Sequence, residues 1–374
     1  MRIKTVLCLL GLAALVSGAA SSTAMAEQNV PGSVLVFPYV DSNSSSPTII
    51  SVSNLYLKRW AGPVKRVLPG GNEVCDPGPP ETRFGDTGVY FLFFDSEDCL
   101  ESNFWVWLTP ADHVTFVIDD KIPDGRVGWM VAFAFDPAFV DEEIKPWSFD
   151  FLVGIAHAVD ARFDLSWTYN AYAFLSSKWD ANGGAAERGR CGKYYIDHFV
   201  GNNDGILDFD GTEYEKWGDE LYLPRFFEEA NEGQDYDSLL SLISPLNTIE
   251  EQGNYETTAS ILFWNNDENE NGFPFSKTVN FTCQLITSLH AISPQFGLLE
   301  GTELEEPTGW AIFDGYLYRK PNGELVNHDP PMLGVFAQIN RILGGDPAQH
   351  TGGNNFFTRG FNDPNAKIQY RFGQ

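Results

Sequence analysis

The chain has 374 residues, 51 of them acidic and 24 basic, for a net charge of −27. A surface of that sign repels phosphate backbones and anionic lipid, which argues against nucleic acid and membrane surfaces as partners and favours cations. Hydrophobic residues make up 43% of the chain and aromatic residues 14%, enough to bury a large core in one elaborate domain or two ordinary ones.

Arg2 and Lys4 precede an apolar run over residues 6–16 and small residues ending in Ala24-Met25-Ala26. These are the three parts of a secretory signal peptide, so residues 1–26 are expected to be removed and the mature protein to be secreted or periplasmic. No later stretch reaches the roughly 18–20 apolar residues of a membrane helix. Cys75, Cys99, Cys191 and Cys283 remain in an oxidising compartment, where four cysteines permit three pairings. Cys75 with Cys99 is the favoured bridge, because both flank one proposed strand and the link closes a modest loop. There is no CxxC pair, so a zinc knuckle or thioredoxin-type motif is not supported.

Residues 32–38 (GSVLVFP) spell a short buried strand ended by proline, and residues 48–55 (TIISVSNL) alternate with period two. A Gly-, Pro- and charge-rich stretch at 58–86 reads as a long surface loop. Four runs rich in aromatic and β-branched residues follow, at 89–94, 104–108, 114–118 and 128–135, each closed by polar, Gly or Pro residues. That is how an antiparallel meander is written. Residues 147–159 and 163–175 add further strands, so 27–175 is expected to form a first β-sandwich-like unit. Residues 176–253 read as a partly helical insertion, with acids before an apolar cluster at 219–231, Pro224 placed to start or kink a helix, and a second short helix at 237–243. Strand patterns return at 254–320, and 321–374 reads as a loop-rich segment ordered only near 332–343 and 368–372.

The second half echoes the first. Residues 258–265 (TASILFWN) resemble 48–54 (TIISVSN), and 308–313 (TGWAIF) resemble 127–133 (VGWMVAF). A weak twofold internal repeat is the economical explanation. The expected fold class is therefore all-β, with two antiparallel β-sandwich-like units and a partly helical insertion between them.

The GSVLVFP opening, Leu108-Thr109-Pro110, Gly128-Trp129, the DGILDFDG run at 204–211 and Ile292-Ser293-Pro294 are together similar to a loose group of exported bacterial proteins. The likeness spans most of the mature chain. It implies a secreted β-rich protein and carries over no catalytic residue.

The most informative polar stretch is 201–215, GNNDGILDFDGTEYE. Calcium takes six to eight oxygens, which loops supply by alternating acids around a glycine that permits a sharp turn. With Asp204 and Gly205 in the fifth and sixth places of an EF-hand loop, Asn202 is third, Leu207 eighth and Asp208 ninth. The first and twelfth places fall on Val200 and Gly211, which offer no side-chain ligand, so Asp210, Glu213 or Glu215 must close the site by another backbone path. The candidate Ca2+ ligands are thus Asn202, Asp204, Asp208, Asp210 and Glu213; the competing reading is a pair of Asx turns that needs no metal. A second acidic loop at 265–272 fits less well, because Pro274 and Thr278 fall where an aliphatic residue and a glutamate belong, and it reads as a solvated turn.

Chemistry is otherwise sparse. The six histidines show no HxH or HxxxH spacing and there is no Gly-x-Ser-x-Gly elbow. Trp105 and Trp107 share one face of their strand and Trp129 and Trp310 occupy echoed positions, an arrangement that serves a buried core more often than a sugar platform. The leading expectation is a secreted or surface-associated, non-enzymatic interaction module that binds glycan or protein, stabilised by calcium. The alternative is a secreted hydrolase with its site between the two β units.

Overall fold

A computed structural model describes residues 27–28, 30–56, 64–67, 73–76, 86–99, 101–135, 144, 146–160, 165–176, 186–188, 194–196, 204–227, 234–248, 255–265, 275–292, 308–326, 328–342, 350–355, 357–359 and 366–369. Nine strands build a first sandwich: β1 (Val34–Asp41), β2 (Thr48–Asn54), β3 (Thr87–Asp95), β4 (Glu101–Leu108), β5 (His113–Val117), β6 (Val127–Phe135), β7 (Leu152–Asp160), β8 (Leu165–Asn170) and β9 (Tyr172–Phe174). They form one sheet in the order β9-β1-β6-β3-β4, with Glu27–Gln28 added beside β9, and a second in the order β8-β7-β2-β5. After a short strand β10 (Ile206–Asp208) come nine more: β11 (Glu220–Phe227), β12 (Gln234–Ile243), β13 (Glu256–Asn265), β14 (Phe275–Phe281), β15 (Gln284–Thr287), β16 (Thr308–Arg319), β17 (Leu333–Ile342), β18 (His350–Asn355) and β19 (Phe357–Arg359). Their sheets run β19-β11-β16-β13-β14 and β18-β17-β12-β15. Adding ten to each label of the first sandwich therefore gives the second, strand by strand and neighbour by neighbour. A last strand, β20 (Lys367–Gln369), returns to pair with β10.

The all-β class and the antiparallel sheets are as the sequence predicts, but the helices are not. Residues 219–231 and 237–243, expected to be helical, instead contain β11 and lie within β12, respectively. The acids ahead of an apolar cluster imitate a helix start. What decides is that Leu221 and Leu223 alternate into the core with period two, and that Pro224, which cannot donate to a ladder, sits in a bulge. The expected insertion thus supplies the first two strands of the second sandwich, and the segment beyond 321 supplies its β17, β18 and β19. Among the described residues the helical pieces are Leu289–Ile292 and three-residue 3-10 turns, and no helix is long and apolar enough to cross a membrane.

The repeat extends to single residues. In β1 the register shifts between Phe37 and Val40, around Pro38; in β11 it shifts between Leu223 and Phe226, around Pro224. Val40 faces Gly128 in β6, and Phe226 faces Gly309 in β16. Gly128 in turn faces Asp95, and Gly309 faces Asn265. Both glycines are required by close approach: a Cβ would lie 2.0 Å from the Phe94 carbonyl oxygen in one and 2.0 Å from the Trp264 carbonyl oxygen in the other. The echo of Gly128-Trp129 in Gly309-Trp310 is therefore structural. The echo of 48–54 in 258–265 is not, since β2 corresponds to β12 and β13 to β3. Ile50 and Val52 pair with Ala156 and Gly154, whereas Leu240 and Leu242 pair with Phe336 and Gly334. The proper match of TIISVSN is thus SLLSLIS at 238–244.

Each sandwich closes on its own apolar filling. Leu35, Phe37, Phe91, Phe93, Ile50 and Val52 fill the first, and Leu221, Leu223, Ile261, Phe263, Leu240 and Leu242 the second. The five-stranded sheet of the first unit is buried on its other face too, where Val36, Leu92, Phe94, Trp129 and Phe133 meet Leu207, Phe209, Trp217, Ile243 and Leu333. This is why β3 (TGVYFLFFD) and β6 (VGWMVAFAF) read as almost unbroken apolar runs.

The second unit packs on the first through the outer face of its β12 and β15. Ser241 Oγ donates to the Pro38 carbonyl at 2.7 Å, and Gln284 Nε2 donates to the carbonyls of Pro38 at 2.8 Å and Gly128 at 3.1 Å. The bulge at Pro38 leaves its carbonyl free of the ladder, and the second sandwich takes it. A disulfide joins Cys99, in the turn after β3, to Cys283, in the turn after β14. The expected Cys75–Cys99 bridge is therefore wrong: Cys75 lies in a separate hairpin strand, Glu73–Asp76, and the β3–β4 turn carries Cys99 to the second unit.

Candidate functional site

In the acidic stretch around β10, Asp204, Asp208 and Asp210 surround a cation that the sequence reading does not include, Lys367. Asp204 Oδ1 accepts the Ile206 amide at 2.9 Å, and Asp210 Oδ1 accepts the Thr212 amide at 2.7 Å and its hydroxyl at 2.6 Å. These are the Asx turns of the competing reading, each followed by a glycine at positive φ: Gly205 at 89° and Gly211 at 89°. Glu213 points back to accept the Asp208 amide at 3.1 Å. Asp208 itself forms an ion pair at 2.6 Å with Lys367, which β20 brings in from the far end of the chain. Partial burial lowers the Lys367 pKa, but the bond to Asp208 and the charges of Asp208, Asp210 and Asp204 more than reverse this and hold it above the ordinary range. A lysine ammonium thus supplies positive charge to three of the five candidate ligands. Asn202 lies outside the described residues, as does most of the second acidic loop, and among the described residues no group of three or more His, Cys, Asp or Glu is spaced to hold a metal ion.

A second candidate is the outer face of the five-stranded sheet in the second sandwich. Here β13 and β16 alternate buried and partly exposed positions, and the outward row contains Trp264 stacked on Trp310 at 3.8 Å and 4°. Tyr222 of β11 lies 5.7 Å from Trp310. The corresponding pair in the first sandwich, Phe94 on Trp129 at 4.5 Å, is fully buried. The same position in the same fold is therefore covered in one unit and open in the other.

Along this face Glu220 lies opposite Asp314, which lies opposite Ser260; the next outward row is Tyr222, Ile312 and Leu262, and beyond it stand the two tryptophans. At about 3.3 Å per residue the carboxylate row and the tryptophan row are roughly 13 Å apart. Burial, reinforced by the charges of Asp329, Asp314 and Glu220, pushes Asp219 up to about 6; burial and the charges of Asp329 and Glu220 push Asp314 up to about 6. In the ladder Glu220 stands between Asp314 on β16 and Arg359 on β19, so one like and one opposite charge flank it.

Trp105 and Trp107, expected in the core, face outward on β4 at 47% and 44% exposure. Trp129 is core as expected. Between the two units, Phe94, Trp129, Ser244, Asn247, Thr248 and the Cys99–Cys283 bridge border a narrow gap with no room for a water molecule. The open aromatic ladder is hard to see in the sequence because TASILFWN in β13 resembles TIISVSN in β2. Set against β3, ILFWN matches FLFFD, and the stacked pair becomes visible.

No protein-family model and no curated protein matches the chain. Among solved structures it is similar to Thermotoga maritima 1070, at 12% identity and a TM-score of 0.24, over 38% of this chain and 95% of that one. It is also similar to a calcium-binding mutant of Bacteroides uniformis β-glucuronidase 2, at 8% identity and a TM-score of 0.14. That match takes in 86% of this chain and 26% of the glucuronidase. Likenesses this slight carry no argument about fold or function.

Proposed function

We propose that this chain is an exported, non-enzymatic interaction module that recognises a protein or glycan at a cell surface through the outer face of its second sandwich. One observation carries the reading: the stacked pair Trp264–Trp310 is left partly open where its counterpart Phe94–Trp129 is buried. Partly exposed aromatic side chains beside polar groups offer large contact area at low entropic cost. The rows of Tyr222, Ser260, Glu220 and Asp314 add hydrogen-bonding groups on the same face. The hydrolase alternative finds less support, because the gap between the units is too narrow to admit a substrate.

Calcium enters this reading as a competitor of Lys367. A divalent ion at the acidic loop has to displace the ammonium from Asp208, and binding there is expected to raise the melting temperature in wild type and not in Asp204→Ala/Asp208→Ala. The recognition face is tested by glycan-array and cell-surface pull-down binding of wild type beside Trp264→Ala and Trp310→Ala. Loss of binding in both variants with the folded far-ultraviolet spectrum retained supports the reading; binding that survives both substitutions overturns it.

A further inference from the structure

The internal contact between the two sandwiches is a template for a contact between copies. The acceptor half on the first unit consists of the Pro38 bulge carbonyl, the Gly128 carbonyl and the aromatic pair Phe94–Trp129. Its counterparts on the second unit are Pro224, Gly309 and Trp264–Trp310, and Pro224 is exposed. The donor half on the second unit consists of Ser241, Gln284, Leu333 and Val335. By strand register Ser241 corresponds to Ser51, and Gln284, opposite Ile243, corresponds to His113, opposite Ser53. Leu333 and Val335 correspond to Val153 and Ile155, since Gly334 and Gly154 occupy equivalent places.

Thus the outer face of β7-β2-β5 repeats the donor half: a serine hydroxyl in the same place, an imidazole where the amide stands, and two branched aliphatics where leucine and valine stand. Ile155 is 45% exposed, on a sheet face it shares with the partly exposed Val153, Ser51 and His157 and the exposed His113.

We infer that copies of this chain associate head to tail, the first sandwich of one seating on the second sandwich of the next as the two units seat within one chain. The inference rests on the proposed recognition face and names its occupant as a second copy. Because the two halves of the contact are different surfaces, association is heterologous and grows into rings or filaments rather than stopping at a twofold dimer.

The test is sedimentation velocity on the full mature chain from low to high micromolar concentration, with Ile155→Glu spoiling the donor face and Trp310→Glu the acceptor face. Wild type is expected to form species that grow with concentration, and each variant to remain monomeric with its far-ultraviolet spectrum intact. An equimolar mixture of the two variants is expected to give a dimer and nothing larger, since each keeps one sound face. Trp264→Glu serves in place of Trp310→Glu should the latter not fold. A monomeric wild type, a mixture that stays monomeric, or a dimer indifferent to both substitutions overturns the inference. A monomeric wild type that still loses glycan or protein binding on Trp310→Ala overturns self-association alone and leaves the proposed function standing.

Discussion

The two sandwiches share one strand order and one proline bulge, yet their outer faces were put to opposite uses. In the first, the outer face of the five-stranded sheet is sealed by Leu207, Phe209, Trp217, Ile243 and Leu333, and every residue from Thr87 to Asp95 is buried. In the second, the same face alternates buried and partly exposed residues and keeps Tyr222, Trp264 and Trp310 within reach of solvent. The four-stranded sheets are reversed in role: that of the second unit is covered by the first, while that of the first carries Ser51, His113 and His157 at its surface. The lesson is that a repeated fold fixes which positions face in, while burial of the remaining face is decided by what the chain lays over it.

The largest way to break this comparison is to cut the tether. In the chain-entropy view a bridge closing 184 residues stabilises by about 5 kcal/mol, so Cys99→Ser with Cys283→Ser is expected to lower stability by that order and to separate the unfolding of the two units into two steps in denaturant. A single unshifted transition would show that the packing at Pro38 and Gln284 suffices. The matched pair of tryptophans comes next: Trp129→Ala in the sealed face is expected to cost about 3–5 kcal/mol and Trp310→Ala in the open face about 1 kcal/mol, read by the same melts. Equal losses would mean that both faces are sealed.

A carboxyl in each unit sharpens the contrast through pH. Burial pushes Asp150 up to about 6, although the Ser33 hydroxyl and the Ser176 amide and hydroxyl hydrogen-bond to it. The folded state therefore holds a proton that the unfolded state has released, and the stabilisation is present at low pH and lost as pH rises through about 6. Relative to Asp150→Asn, wild type is expected to lose up to about 3 kcal/mol between pH 4 and pH 7, measured by denaturant melts across that range. Asp314→Asn is expected to show the same sign and a smaller slope, because solvent screens a partly exposed group.

The smallest effect concerns the loop between the units. Lys367→Met is expected to cost less than about 1 kcal/mol by leaving Asp208 without its ammonium, because solvent screens the partly exposed pair. It is also expected to increase any calcium-induced shift in melting temperature; an unchanged response would detach Lys367 from the cation chemistry of the loop.

Much of this was legible in the sequence, for definite reasons. The unbroken apolar runs of β3 and β6 and the alternation of β2 follow directly from how many faces each strand buries, and Gly128-Trp129 against Gly309-Trp310 located the repeat. The helices expected over β11 and β12 failed because Pro224 and its acidic neighbours imitate a helix start, and Pro38, which reads as the end of a strand, instead sits in a bulge through which the strand continues to Asp41. The acidic loop was found, but its lysine was not: Lys367 is distant in sequence, and only the pairing of β10 with β20 brings it to Asp208. The disulfide was misplaced for the same reason, since contacts between units leave no local signature.

The central claim is that one face of a repeated sandwich is covered and its counterpart open, and hydroxyl-radical footprinting of dilute protein read by mass spectrometry tests it most directly. The account predicts rapid oxidation of Trp264 and Trp310 with protection of Phe94 and Trp129. Equal protection of both pairs, or faster oxidation of Trp129, would contradict it.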